Sequence, residues 1–153
     1  MPPDNRFSVT SAFKAAADDE LPLWVGEFLA SRGSGNATLA AGLAQREHWW
    51  LGPLWMPLEL LVPLAGPDDD VLIPIDEEEW ESDVSAMKES VAEGWEPPPL
   101  LVQFDRGRFL LQDGNHRYEA LTRDGATHTW VLLWFDDPAE YRDFGDRVRD
   151  FAP

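Results

Sequence analysis

Residues 111–121 read LQDGNHRYEAL, and this stretch indicates more about the fold than any other part of the chain. An apolar run leads into an Asp-Gly turn, and a helical pattern begins directly after the turn. Glycine suits such a turn because it adopts positive φ angles without a steric penalty. The stretch therefore predicts a strand, a tight turn and a helix for which Asn115 is a candidate cap.

The beginning of such a helix is suited to bind an anion. The first backbone amides of a helix have no intrahelical acceptor and lie at the positive end of the helix dipole. Gly114 would let a phosphate approach the backbone, and Arg117 would face outward and add a bidentate contact. His116 is a candidate phosphate donor or acid near neutral pH. The alternatives are an ion pair between Arg117 and a nearby carboxylate, and a local hydrogen bond for His116.

The composition is that of an acidic globular protein. The chain has 153 residues, enough for one domain with a buried core, and 44% of them are hydrophobic. Its net charge of −17 would repel a nucleic-acid backbone, which disfavours nucleic acid as a partner. Because cysteine is absent, disulfides and thiolate chemistry are excluded. With no signal segment and no long apolar run, we expect no membrane partner and a cytoplasmic location.

The N-terminal third predicts helices. We expect a frayed tail over residues 1–10, a helix over 21–30 and a break at 33–35. A second helix, capped by Asn36 or Thr38, would end at Gly52-Pro53. Its apolar residues at helical spacing are Leu39, Leu43 and Trp50.

Strands and helices alternate in the rest of the chain. The predicted strands are 54–56, 100–104, 109–112 and 130–135, with a hairpin turn between the second and third. The predicted helices run from Asp76 to Gly94, from the Asp-Gly turn to Arg123, and from Asp137 to Phe151. The fold class is thus α+β, a small mixed sheet with flanking helices after an N-terminal helical subdomain. The predicted segments are 1–52, 53–136 and 137–153.

More than half of the chain, about residues 54–135, resembles the ParB/sulfiredoxin superfamily. Residues 56–63 (MPLELLVP) are similar to the opening strand and turn of ParB-type domains, residues 98–102 (PPLLV) to a later strand, and residues 111–121 to the hallmark motif of the fold. The resemblance implies a ParB/sulfiredoxin-like domain over residues 53–136. It also implies a nucleotide pocket in which the segment that matches Gly114 to Arg117 handles the phosphates.

The branches of this superfamily use that pocket differently. Sulfiredoxins repair an over-oxidised cysteine with ATP, partitioning ParB proteins switch a DNA clamp with CTP, and free-serine kinases phosphorylate an amino-acid hydroxyl. Sulfiredoxin chemistry is excluded because Asn115 stands where those enzymes carry a reactive cysteine. Serine kinases are expected to carry a glutamate base just past the first proline turn, where this chain has Leu64-Ala65-Gly66. Glu59, Glu77 or an aspartate of residues 68–70 would then take that role.

The implied cofactor is ATP, ADP or CTP together with Mg²⁺. Mg²⁺ prefers carboxylate and phosphate oxygens, so the nucleotide would bring the ion with it. Asp113 is expected to orient the turn or to contact a metal through water. Residues 68–70 (DDD) are either a metal loop or a charged surface loop. Three scattered histidines and no cysteine predict no zinc site.

The sequence and the resemblance lead to two hypotheses about function, one an enzyme and the other a binding module. The leading hypothesis is a kinase-like enzyme that transfers a phosphoryl group from ATP or ADP to the hydroxyl of a small molecule. The predicted nucleotide-binding residues are Asp113, Gly114, Asn115, His116 and Arg117, and the candidate catalytic residues are Glu59, Glu77 and His116. The alternative is a non-catalytic module that responds to a nucleotide and acts through a protein partner. A nuclease ranks last, because so acidic a chain should bind DNA poorly.

Overall fold

The structure is a computed structural model that describes residues 6–31, 36–66, 73–74, 76–92, 94 and 96–153. Its α-helices are α1 (Val9–Ala17), α2 (Leu21–Ala30), α3 (Ala37–Leu43), α4 (Glu77–Ala92), α5 (Asn115–Arg123) and α6 (Pro138–Gly145). Its strands are β1 (Trp49–Pro57), β2 (Leu61–Pro63), β3 (Ala65–Gly66), β4 (Ile73–Pro74), β5 (Leu100–Asp105), β6 (Arg108–Asp113) and β7 (His128–Phe135). Two short 3₁₀ helices span Leu58–Leu60 and Val148–Phe151.

Five of the strands form one mixed sheet in the order β1-β7-β5-β6-β2, and β3 and β4 form a separate two-stranded ladder. In the larger sheet β5 is parallel to β7 and β2 to β6, whereas the other pairs are antiparallel. The predicted hairpin between β5 and β6 is confirmed, with Arg106 and Gly107 at positive φ in its two-residue turn. The predicted α+β class with a small mixed sheet is therefore confirmed.

The two faces of the sheet bury separate clusters of side chains. On one face, Leu133 of β7 packs with Phe144 of α6 and with Phe151 at the C-terminus. On the other face, the neighbouring residues Leu132 and Trp134 pack against α1 and α2. Alternate residues of a strand point to opposite faces, so β7 contributes to both clusters. The N-terminal helices thus cover one face of the sheet, and α6 lies against the other.

The prediction of a frayed tail over residues 1–10 is wrong for the last two residues, because α1 begins at Val9. Ser8 caps this helix: its hydroxyl accepts a hydrogen bond from Ser11 N at 3.1 Å, and Ser8 N donates to Ser11 Oγ at 2.9 Å. This reciprocal pair satisfies two amides that the beginning of a helix leaves unpaired. The sequence pattern does not predict this capping box, because the residue three positions after the cap is a serine and not the usual Glu or Gln.

The second predicted helix is too long. Asn36 caps α3, as predicted, by accepting a hydrogen bond from Leu39 N at 3.3 Å. The helix ends at Leu43, however, and Trp50 lies in β1 opposite Trp134, with 5.4 Å between the ring centroids. Helical spacing was misleading here because cross-strand pairing of large aromatic residues stabilises a strand equally well. The break predicted at residues 33–35 lies outside the described residues.

The predicted caps of α4 and α6, Asp76 and Asp137, are confirmed. Asp76 accepts a hydrogen bond from Glu79 N at 3.1 Å, and Asp137 accepts one from Ala139 N at 2.8 Å. The C-terminal helix is shorter than predicted, since α6 ends at Gly145 and a separate 3₁₀ turn follows. The loop of residues 68–70 lies outside the described residues.

We expect residues 1–52 to be largely unfolded when they are expressed alone. Val25 and Leu29 of α2 are almost fully buried in the cluster that includes Leu132 and Trp134 of β7. A segment this short cannot bury that apolar face by itself. The amide NMR spectrum of the fragment should therefore be narrowly dispersed, and a well-dispersed spectrum would contradict this prediction. The division of the chain at residues 52 and 136 stays a prediction.

Asp136, directly after β7, is the centre of a polar cluster. His48 Nδ1 lies 2.7 Å from Asp136 Oδ1, Gln103 Nε2 donates to Oδ2 at 2.6 Å, and Arg46 lies 3.1 Å from Oδ1. Burial raises the pKa of Asp136, but the hydrogen bonds of Gln103 and His48 and the charge of Arg46 outweigh that effect. The net pKa of this carboxyl group is lower than usual.

Asp136→Asn should therefore make folding stability less sensitive to acid. A carboxylate with a lowered pKa in the folded state contributes stability above its unfolded pKa, about 3.9. It loses that contribution as the pH falls through the folded pKa. The variant should be less stable than the wild type at pH 7, and the difference should shrink at about pH 3. Urea unfolding at both pH values measures this, and a difference that does not change with pH would contradict it.

Candidate functional site

The beginnings of α4 and α5 lie side by side. The contacting pairs are Trp80–His116, Val84–Ala120 and Lys88–Asp124. Because both members advance by four residues from one pair to the next, the two helices run parallel. Their N-termini, with the positive ends of both dipoles, therefore lie at the same end of the helix pair.

The Asp-Gly turn leads into α5 as the sequence predicts. Gly114 has a φ of 101° and occupies the N-cap position. The first helical hydrogen bond runs from Tyr118 N to Gly114 O at 2.9 Å, so the amides of His116 and Arg117 precede the intrahelical ladder. Backbone amides therefore face the end of the helix at which a phosphate was predicted.

Asn115 is not the cap of α5, which corrects the sequence prediction. It is the first helical residue, and its Oδ1 accepts a hydrogen bond from Leu64 N at 3.1 Å. Gly114 takes the cap position because its positive φ turns the chain directly from β6 into the helix. Asn115 thus ties the beginning of α5 to the end of β2.

His116 lies against α4. Its ring stacks on Trp80 with 4.4 Å between the centroids, and its side chain is 31% exposed. His116 Nε2 lies 3.3 Å from Asp83 Oδ2, a distance at which charges attract, although the two groups are not aligned for a hydrogen bond. The imidazole is therefore held in place and partly open to solvent at the beginning of the two helices.

Two ring nitrogens at this position are buried without a hydrogen-bond partner among the described residues. They are Trp80 Nε1 and His116 Nε2. Trp80 is only 1% exposed, and an unpaired buried donor costs about 1–3 kcal/mol. Such groups are rare in folded proteins. The sequence pattern does not single out Trp80 as a site residue, because its place beside His116 depends on the packing of α4 on α5.

The expectation that Arg117 faces outward is wrong. Its side chain is 8% exposed and donates to the carbonyl oxygens of Pro98 and Pro99 and to Asp113 Oδ2, the latter at 3.1 Å. Burial lowers the pKa of the Arg117 guanidinium, and the adjacent Asp113 carboxylate opposes this effect. The ion-pair alternative therefore describes Arg117, and the geometry does not support it as a phosphate ligand.

Gly114 is required by this buried arginine. A Cβ atom at position 114 would lie 2.6 Å from Leu100 Cδ2 and 2.8 Å from Arg117 Nη2. Both distances are shorter than any van der Waals contact allows. The glycine therefore makes room for Leu100 and the guanidinium, in addition to providing the positive φ of the turn.

Asp113 is a structural residue of the turn. It pairs with Arg117, and its Oδ1 accepts a hydrogen bond from Asn36 Nδ2 at 3.1 Å. With 11% of its side chain exposed, it links the cap of α3 to the turn before α5. These contacts hold Asp113 in the turn, and its contact with a metal through water stays a prediction.

The two candidate glutamates lie at different distances from His116. Glu59 lies in the 3₁₀ turn before β2, whereas Asn115 contacts Leu64, directly after β2. The length of that strand, about 10 Å, therefore separates Glu59 from Asn115. Glu77 lies in the first turn of α4, three residues before Trp80, and is exposed. Of the two, Glu77 is the one on the helix whose Trp80 stacks on His116.

Among the described residues, no group of three or more histidine, aspartate or glutamate side chains is arranged to hold a metal. In the same part of the chain, no helix combines the length and hydrophobicity that crossing a membrane would require.

No family model and no curated protein matches the chain. Three kinds of solved structure are similar to it. A free serine kinase in complex with AMP is 21% identical, with a TM-score of 0.39 over 52% of this chain and 30% of the kinase. A pNOB8-like ParB N-domain is 21% identical, with a TM-score of 0.42 over 65% of this chain and 32% of that one. Sulfiredoxin from Arabidopsis thaliana is 17% identical, with a TM-score of 0.38 over 64% of this chain and 96% of the sulfiredoxin.

These solved structures are a serine kinase, a ParB domain and a sulfiredoxin, the same three kinds of protein that the sequence motifs resemble. The chain spans less than a third of the length of the kinase and about a third of that of the ParB N-domain. Because the TM-scores are all below 0.5 and the identities below 25%, the likeness transfers no activity, ligand or residue role.

Proposed function

We propose that this protein binds a nucleotide through its phosphates at the beginning of α5. The observation that carries the proposal is the pair of buried nitrogens, Trp80 Nε1 and His116 Nε2, which have no hydrogen-bond partner in the part of the chain that the structure describes and lie beside the N-termini of two parallel helices. The positive helix ends and the amides before the first hydrogen bond favour an anion. His116 adds a partly exposed ring that can donate to a phosphate oxygen.

Mg²⁺ fits this proposal as part of the nucleotide complex. The first turn of α4 carries Glu77, Glu78 and Glu79, whose negative charges would repel a bare polyphosphate. A divalent cation on the phosphates would neutralise part of that repulsion. Since the described residues form no metal cluster, phosphate oxygens and water would supply most ligands of the ion, and Asp83, which lies 3.3 Å from His116 Nε2, and Glu77 are candidate carboxylate ligands.

We further propose kinase-like transfer of a phosphoryl group from ATP or ADP to the hydroxyl of a small molecule. The acceptor oxygen would form a bond to the terminal phosphorus as the bond to the leaving nucleotide oxygen breaks. Glu77 would take the hydroxyl proton, and His116 would donate a hydrogen bond to the transferred group. Positioning by the helix ends would contribute most of the catalysis, as in other phosphoryl transfers.

The second candidate is a non-catalytic module in which a nucleotide, CTP included, changes the affinity for a protein partner. Two observations favour it. No carboxylate stands at residues 64–66, next to Asn115, and Arg117 is held in the core, where it cannot stabilise transition-state charge. A nucleotide would then stabilise the folded protein without being consumed.

His116→Ala should weaken nucleotide binding about tenfold, as expected from the loss of one charge-assisted hydrogen bond. Titration calorimetry with ATP, ADP and CTP, each with and without Mg²⁺, measures the affinity. His128→Ala is the matched control, because His128 stacks on Trp55 at the beginning of β7 and should leave the affinity unchanged. Failure of the wild-type protein to bind any of the nucleotides, or equal affinity in the wild type and His116→Ala, would refute the phosphate site.

Turnover separates the two candidate functions. Purified protein is incubated with ATP or ADP, Mg²⁺ and a pool of hydroxyl metabolites, and phosphorylated products are sought by mass spectrometry. Transfer that Glu77→Gln abolishes, while Glu59→Gln leaves it intact, supports the kinase. Thermal stabilisation by a nucleotide without any product supports the binding module.

A further inference from the structure

A groove of about 570 Å³ lies between α1, α4 and α5. It is lined by the second half of α4, including Val91, and along α5 by Arg117, Leu121 and Asp124. The eight residues from His116 to Asp124 span about 12 Å of helix. The groove reaches from the first turn of α5 to the end of that helix, but Trp80 and His116, which mark the proposed phosphate site, do not line it.

The lining of the groove is largely apolar. Leu100 and Trp130 contribute from the sheet, and Phe13 from α1 stands against Trp130 with 5.0 Å between the ring centroids in an edge-to-face arrangement. On the rim, Phe13 is 44% and Val91 is 48% exposed. Large hydrophobic side chains exposed on two walls of one cavity are typical of a binding site.

Among the described residues, the charged side chains that line the groove are engaged with other protein groups. Lys88 Nζ lies 3.0 Å from Asp124 Oδ1. Glu96 Oε1 accepts hydrogen bonds from Thr10 Oγ1 at 2.8 Å and Thr10 N at 3.3 Å. Arg117 donates to the core groups described above. A charged ligand would have to compete with these contacts, whereas an uncharged ligand would leave them intact.

We propose that this groove binds an uncharged, mainly apolar small molecule, such as an aromatic ring system or a medium-chain alcohol. The volume is in the range of cavities that enclose one small organic ligand. Burial of Phe13, Val91 and Trp130 against the ligand supplies the driving force. The net charge of −17 further disfavours anionic amphiphiles of the same shape.

The test uses N-phenyl-1-naphthylamine, an uncharged apolar dye whose fluorescence rises in apolar surroundings. The full chain should bind the dye, 1-octanol should displace it, and octanoate of the same chain length should be at least about tenfold weaker. ATP with Mg²⁺ should not displace the dye, which separates this site from the proposed phosphate site. Absence of dye binding, or equal displacement by octanol and octanoate, would overturn the proposal.

Val91→Glu and Phe13→Glu locate the site. Each should weaken dye binding about tenfold, because a carboxylate on the rim must be desolvated when the ligand enters. Leu23→Glu is the matched control, since Leu23 is also an exposed helical residue, at 57%, but does not line the groove. Circular dichroism verifies that all three variants fold. Equal affinity in the control and the groove variants would overturn the proposal.

Light scattering after gel filtration tests a competing occupant, a second copy of the chain. The proposal expects the same mass for the wild type and Val91→Glu. A wild-type dimer that Val91→Glu separates would show that the groove is an interface between two copies, and the small-molecule site would be rejected.

Discussion

Arg117→Ala is expected to lower the free energy of unfolding by about 3–5 kcal/mol, the usual effect of removing one partner of a buried ion pair. The change leaves Asp113, whose side chain is 11% exposed, without its cation. It also leaves the carbonyl oxygens of Pro98 and Pro99 without the guanidinium that they share. Chemical unfolding followed by circular dichroism measures the loss.

Arg123→Ala is the control for this prediction. Arg123 lies on the same helix, and its side chain is 33% exposed, against 8% for Arg117. It pairs with Glu81 and Glu119 at the surface, where such pairs contribute about 0–1 kcal/mol. If Arg117→Ala were as stable as the wild type but unable to bind nucleotide, Arg117 would be a phosphate ligand and our account of its burial would fail.

Gly114→Ala should destabilise the fold by about 2–5 kcal/mol. The positive φ of 101° costs an alanine about 1–2 kcal/mol, and overpacking of the methyl group adds about 1–3 kcal/mol. The methyl group would meet Leu100 and the Arg117 guanidinium. Leu100 is 1% exposed and Arg117 is held by three acceptors, so neither can move away freely. Valine at this position should be worse, because β-branched residues tolerate positive φ least.

Gly125→Ala separates the two contributions. Gly125 also has a positive φ, 79°, but a Cβ atom there meets no atom within 4 Å. Its substitution should therefore cost only the backbone term, about 1–2 kcal/mol. Urea unfolding of both variants gives the comparison, and equal losses would show that the contacts of Gly114 with Leu100 and Arg117 are unimportant.

Local signals in the sequence were sufficient for most elements. The caps Asn36, Asp76 and Asp137 and the turn of the β5–β6 hairpin were recognised because each acts through hydrogen bonds or φ angles within a few residues. Trp50 was misassigned because its conformation depends on pairing with Trp134, which lies 84 positions later in the chain. No short-range pattern contains that information.

The sequence by itself determined the α+β class, the strand-turn-helix unit around Gly114 and the amides that begin α5, since these depend on local periodicity and backbone geometry. Tertiary structure alone decided what the side chains of that unit do. It turned Arg117 into the core, placed His116 on Trp80 and left Glu59 at the other end of β2. The physical reason is that a residue in the first turn of a helix can face a neighbouring element or solvent, and only the packing of α4, α5 and residues 98–100 distinguishes the two.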